Sequence, residues 1–166
     1  MAQVEVVGVR IEFPANQPVL ILRELSGPRF LPLWIGLPEY NAISIALDGV
    51  EVARPMTHDL LLAVIENLNE TLTAVTITEL QDGVFYAILQ FTDHEPVSAR
   101  PSDAVALAVR TGVPIFVADE VMNEAGQFIT EEDDSDADDS DSDEPDLTEL
   151  AQFREFLDNI KPEDFT

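Results

Sequence analysis

The sequence predicts an α+β domain: duplicated strand-strand-strand-helix units forming a mixed sheet packed by helices. Three observations carry this. Apolar residues at a near period of two, the mark of half-buried strands, fill most of residues 4–35 and return at 75–91. Each group of strands is followed by a helically spaced apolar run opened by proline, at 38–47 and 101–110. GLPEYNAISIAL (36–47) and ARPSDAVALAV (99–109) also share an order of proline, acid, alanine, β-branched residue, then small and aliphatic residues, with one extra residue in the first copy. Such an echo is the trace of a repeated unit.

In chain order, Val4, Val6, Gly8 or Val9, Ile11 and Phe13 form a half-buried strand that Pro14 and Asn16 close. The second strand is Val19 to Glu24, turned by Ser26, Gly27 and Pro28, and the third is Phe30 to Ile35, ended by Gly36. Pro38 stands where a first helical turn tolerates it, and Ala42, Ile43, Ile45, Ala46 and Leu47 follow at helical spacing. A second helix starts after Arg54 and Pro55, with Thr57 as its expected N-cap. Its Leu61, Val64, Ile65 and Leu68 form an apolar face expected to meet a sheet. Val75, Ile77 and Leu80 mark the next strand and Asp82-Gly83 a turn. The near-continuous apolar run Val84 to Phe91 is expected to be a strand buried on both faces. Pro96 to Ala99 leads into Pro101, Ser102 and a helix to Arg110, capped by Gly112, and Val113 to Val117 reads as a further buried strand.

A chain of 166 residues suits one sizeable core and an appendage. Residues 1–130 are expected to form the domain, 131–146 a disordered acidic linker and 147–166 a short amphipathic helix and tail. The formal net charge is -25, and Glu131 to Asp146 holds 11 acids in 16 positions with no basic residue, too little apolar area to offset chain entropy. Leu147, Leu150, Phe153, Phe156, Leu157 and Ile160 then make one apolar stripe, which needs this domain, a second subunit or a protein partner to dock on. Residues 1–130 themselves carry 17 acids against 6 arginines, a balance of -11 that lacks the basic footprint of most nucleic-acid binders. The absence of cysteine excludes disulfides, thiolate metal sites and cysteine nucleophiles. Glu5, Arg10 and Glu12 interrupt the N-terminal apolar pattern, which therefore reads as neither signal peptide nor membrane span; a cytoplasmic protein is expected.

Two segments share a local design, RPMTHDLL (54–61) and ARPSDAVALAVR (99–110), in which arginine and proline precede a hydroxyl residue and an aspartate at a helix start. Capping explains the hydroxyl and the acid. A helix N-terminus beside arginine is also a phosphate site, and a carboxylate there can hold a divalent metal. Arg54 and Arg100 are two of only six arginines before residue 131, which favours a site or an ion pair. His58 stands directly before Asp59 as a general base, a metal ligand or an exposed first-turn residue, and Glu39 begins the first-unit helix. There is no glycine-rich phosphate loop, HExxH or GxSxG, and the acidic run lacks the glycine of a calcium loop. Trp34, Phe85, Tyr86 and Phe91 lie on apolar strands, where core packing is expected rather than base stacking.

With LPLWIGLPE (31–39), RPMTHDLL (54–61), FYAIL (85–89), ARPSDAVALAVR (99–110) and PIFV (114–117), nearly all of residues 1–125 resembles the bifunctional nuclease (BFN) domain family, and QFREFLDNIKPEDF (152–165) is similar to the ending of its actinobacterial branch. The resemblance implies duplicated strand-and-helix units, a homo-oligomer and cleavage of both DNA and RNA. Glu39, Arg54, His58, Asp59, Arg100, Asp103 and Arg110 match polar positions of the family motifs, while Tyr40 and Asn41 replace small residues and Ser98 replaces a frequent aspartate. The function expected is metal-dependent hydrolysis of phosphodiester bonds. Glu39, Asp59 and Asp103 would bind Mg²⁺ or Mn²⁺, Arg54, Arg100 and Arg110 the phosphate, and His58, with Asp59 and Asp103, would serve catalysis. The alternative, favoured by the charge, is a noncatalytic regulatory or scaffold protein that binds a basic partner through its acidic tail and C-terminal helix.

Overall fold

The structure, a computed structural model, describes residues 1–128; the expected acidic linker and C-terminal helix lie outside the described residues. Strands β1 (Ala2–Glu12), β2 (Gln17–Glu24) and β3 (Arg29–Trp34) form an antiparallel meander followed by helix α1 (Leu37–Leu47). Helix α2 (Thr57–Asn67) connects it to a second antiparallel meander, β4 (Leu72–Gln81), β5 (Val84–Phe91) and β6 (Val97–Ala99), followed by α3 (Pro101–Thr111). Then come β7 (Ile115–Val117), α4 (Asp119–Ala125) and β8 (Gln127–Phe128). The sheet runs β6-β5-β4-β7-β1-β2-β3-β8. β7 pairs parallel with β4 (Val75 opposite Ile115) and antiparallel with β1 (Ala2 opposite Val117), which joins the two meanders and makes the sheet mixed. The fold is thus the predicted duplicated α+β arrangement.

Helices α1 and α3 pack on each other and on the sheet. Leu20, Leu22, Leu31, Leu33, Val75 and Ile77 join Ile43 of α1 and Ala104 to Ala108 of α3 in one apolar cluster. Each fully buried leucine or isoleucine there contributes about 1.5–3 kcal/mol. The register of β1 slips between Val6 and Gly8, a bulge that moves Val9 rather than Gly8 onto the core. Gly112 ends α3 at φ +74°, where its N–H donates to the Ala108 carbonyl at 2.8 Å. Among the described residues no helix is long and apolar enough to cross a membrane.

Four local expectations are corrected. Helix α2 contains no buried residue and packs against α3, so its apolar face does not meet the sheet. The half-buried positions are His58, Leu62 and Ile65 with Asp59 and Ala63, at i, i+3 or i+4 spacing; inward polar ties of His58 and Asp59 set the rotation, leaving Leu60, Leu61, Val64 and Leu68 exposed. Its N-cap is Met56, with Thr57 already helical. Strand β5 is not covered on both faces: Ala87 and Leu89 are buried, while Val84 and Tyr86 are exposed. Trp34, at the end of β3, is 57% exposed rather than in the core, whereas Phe85 and Phe91 pack partly buried against it. The sequence reading also missed α4, whose Val121 and Met122 are almost fully buried; seven residues give too few turns for a period to register.

Candidate functional site

Three helices begin around one cleft. Proline pre-sets the first turn of α1 (Pro38) and α3 (Pro101), and no side-chain oxygen caps either helix. The first amide donors of these turns have no intrahelical acceptor and place partial positive charge beside the two carboxylates that line the cleft. Its volume is about 380 Å³, and Glu39 of α1, Met56 and His58 at the start of α2, and Arg100 and Asp103 of α3 line it.

Arg100 organises the charges. Its Nε donates to Asp103 Oδ2 at 2.7 Å and its Nη2 to Asp103 Oδ1 at 3.0 Å, a two-pronged pair one turn apart. The same Nη2 lies 2.9 Å from Glu39 Oε1, so one guanidinium bridges α3 to α1. Asp103 Oδ1 also meets His58 Nε2 at 3.3 Å, across 45 residues of sequence. His58 and Glu39 are largely covered, at 13% and 15% side-chain exposure, while Arg100 is 65% exposed and presents its outer edge to solvent. Burial pushes the Asp103 carboxyl up, but hydrogen bonds from Arg100 and His58 outweigh it and hold the group below the usual carboxylate range. Asp103 in turn raises the Arg100 guanidinium above its ordinary value. Gly36 makes room for this arrangement: a Cβ there would strike the Glu39 carboxylate.

Asp59 and Arg110 form a separate tie. Arg110 Nε donates to Asp59 Oδ1 at 2.6 Å, Nη1 to the Ala106 carbonyl at 2.8 Å and Nη2 to the Ala42 carbonyl at 3.0 Å, with 8% of its side chain exposed. One arginine therefore fastens α2, α3 and α1 together. The second Asp59 oxygen accepts the Met56 N–H at 2.9 Å. Arg110 first, and the Met56 amide next, hold the Asp59 carboxyl below its ordinary range. Both residues line another cavity, beside Ile45, Val50 and Val109. Arg54 is exposed between α1 and α2 and forms no ion pair among the described residues.

Of the predicted residues, Glu39, His58, Arg100 and Asp103 therefore share one cleft, Asp59 and Arg110 pair outside it, and Arg54 joins neither pair. Among the described residues no three histidine, aspartate or glutamate side chains are gathered to hold a metal ion. Glu39 and Asp103 are each already bound to Arg100, so the expected donor set Glu39, Asp59 and Asp103 does not fit a preformed Mg²⁺ or Mn²⁺ site. Two residues beside the cleft were expected in other roles, Gly36 as the end of a strand and Trp34 as a core residue. Strand parity was the available signal for Trp34: Leu31 and Leu33 point into the core, so Trp34 belongs to the other face.

Fold and cleft define a class, a duplicated α+β domain whose helix starts converge on a histidine, two carboxylates and a guanidinium. Residues 20–130 match the bifunctional nuclease domain, and the chain belongs to that family. It is 48% identical over 165 residues to the Uncharacterized protein MT1877 of Mycobacterium tuberculosis (strain CDC 1551 / Oshkosh), covering 99% of this chain and 98% of that protein. The same identity and coverage relate it to the Uncharacterized protein Rv1829 of Mycobacterium tuberculosis (strain ATCC 25618 / H37Rv).

Proposed function

We propose that the protein is a cytoplasmic nuclease that hydrolyses phosphodiester bonds of DNA and RNA in the cleft of Glu39, His58, Arg100 and Asp103. The observation that carries the reading is the His58–Asp103 contact beside Arg100, at three converging helix starts. With Nε2–H turned to Asp103, which orients the ring, His58 keeps Nδ1 as its base. His58 takes a proton from the attacking water as that oxygen bonds to phosphorus, the P–O bond to the leaving alkoxide breaks and the alkoxide takes its proton from solvent. The exposed edge of Arg100 and the first-turn amides of α1 and α3 receive the phosphate oxygens. Two carboxylates against one guanidinium leave the cluster one negative charge beside His58. Glu39 holds Arg100 toward the cleft, and the Asp59–Arg110 tie positions α2 and with it His58.

These side chains supply general-base and electrostatic help, and no step uses a resident metal. The test is cleavage of a labelled oligonucleotide by purified protein in a chelator and in Mg²⁺. Persistence in the chelator is expected; a strict need for a divalent ion would overturn this division of roles.

Two further readings rest on specific observations. The exposed stripe of Leu60 and Val64 on α2 with Leu68 at its C-cap, at i, i+4 and i+8, supports self-association, with a second copy of the chain covering it. Sedimentation of Leu60→Asp/Val64→Asp against wild type tests this. The 11 acids between Glu131 and Asp146 support the second function, a noncatalytic regulator or scaffold that engages a basic partner. Deleting residues 131–166 separates the two functions: a nuclease keeps or gains activity, and a scaffold loses its partner.

A further inference from the structure

A second cavity of about 360 Å³ adjoins the cleft and shares Glu39 and Arg100 with it. Its walls come from the end of β3, the turn between β4 and β5, and the start of α3. Trp34 and Phe85 are the aromatic residues among those that line it, and Gln17 is the amide-bearing one. Trp34 is 57% exposed and neighbouring Val84 is 54% exposed, so these two side chains face solvent, while Phe85 packs partly buried against the core. Among the cavity's lining residues Arg100 is the cation and Glu39 its anionic partner, already joined at 2.9 Å.

We propose that this cavity is a nucleobase subsite, in which a base flanking the scissile phosphate stacks on Trp34 beside Arg100; the proposal rests on the nuclease reading and narrows its substrate to single-stranded nucleic acid. An indole that lines the same cavity as a guanidinium beside the proposed phosphate site offers an unpaired base a flat apolar surface close to the backbone contact. Stacking is tolerant of sequence because every base has a π-face. A duplex base is already stacked and paired, and drawing it out costs a few kcal/mol, so a paired strand is refused. It also bears on the acidic surface: with few cations available for counterion release, aromatic stacking supplies affinity that charge cannot.

Trp34 is the single tryptophan of the chain, so intrinsic fluorescence reports this cavity. The full chain is titrated with a dye-labelled, cleavage-resistant phosphorothioate (dT)8 and (rU)8 and with a hairpin duplex. Dye anisotropy reads binding and tryptophan emission reads stacking. The expected result is quenching that saturates with the anisotropy for the single strands and is absent for the hairpin. Trp34→Ala should weaken single-strand binding about 5- to 150-fold, the equivalent of 1–3 kcal/mol per stacked base, and Trp34→Phe should restore most of it. Circular dichroism melts check that these exposed-site variants fold. Binding without quenching, equal binding by Trp34→Ala, or a hairpin that binds and quenches equally would overturn the subsite while leaving cleavage by the wild type, and so the nuclease reading, intact. Absence of both binding and cleavage overturns the two together.

Discussion

Replacing Asp59 by asparagine keeps the side chain's shape and removes the charge that faces Arg110. The carboxylate makes two bonds, from Arg110 Nε at 2.6 Å and from the Met56 amide at 2.9 Å, on different oxygens. Asparagine can accept one of them and must turn an NH₂ group toward the other donor. Arg110 stays charged with 8% of its side chain exposed, but keeps the Ala42 and Ala106 carbonyls as acceptors. A hydrogen bond to a charged group is worth about 1.5–3 kcal/mol, and losing one while weakening the other at a partly solvated carboxylate costs about 2 kcal/mol. For a chain of this size that lowers Tm by about 4–8 °C. Because Arg110 depresses the Asp59 pKa, the ionised carboxylate stabilises the fold above the ordinary value, and this contribution is lost as pH falls through the native one. The gap between wild type and Asp59→Asn should therefore be full at pH 7 and close below about pH 4. Calorimetric melts across that range are the assay. A variant that melts with wild type at pH 7 yet loses cleavage would refute the positioning role and return Asp59 to the chemistry.

Other outcomes follow from the same geometry. His58→Gln should slow cleavage by about 10²- to 10⁴-fold in a single-turnover assay while its melting curve stays near wild type. Asp103→Asn should lower kcat more than it raises KM, since it orients His58, and a purely KM effect would contradict that. Gly112→Ala meets open space, but its φ of +74° strains any L side chain, so a loss of about 1 kcal/mol by chemical denaturation is expected. Leu60→Asp/Val64→Asp should shift sedimentation toward the monomer without destabilising it, because both side chains are exposed in the single chain.

How much of this was legible beforehand depended on whether a signal was local. The two meanders and α1 and α3 repeat a pattern of apolar spacing, proline at the helix start and an acid within the first turn, and that pattern survives in the sequence. Gly112 carried its own reason, as the residue that takes a left-handed cap without strain. The rotation of α2 was not legible, because it is set by His58 reaching Asp103 and Asp59 reaching Arg110, contacts 45 and 51 residues away in sequence. Hydrophobic spacing alone pointed Leu61, Val64 and Leu68 inward. Glu39, Asp59 and Asp103 look alike as first-turn acids, and only the tertiary fold separates the two that share Arg100 from the one that faces Arg110. Trp34 was readable by strand parity but was assigned by residue type, and the exposed ring is the consequence.

Cleavage as proposed depends on the histidine and its aspartate across the cleft. The most direct measurement is single-turnover cleavage of a 5′-labelled single-stranded oligonucleotide by wild type and His58→Ala, purified side by side and matched in melting temperature. Cleavage by the wild type and a rate at least about 100-fold lower in the variant are expected; equal rates would rule out His58 as the base.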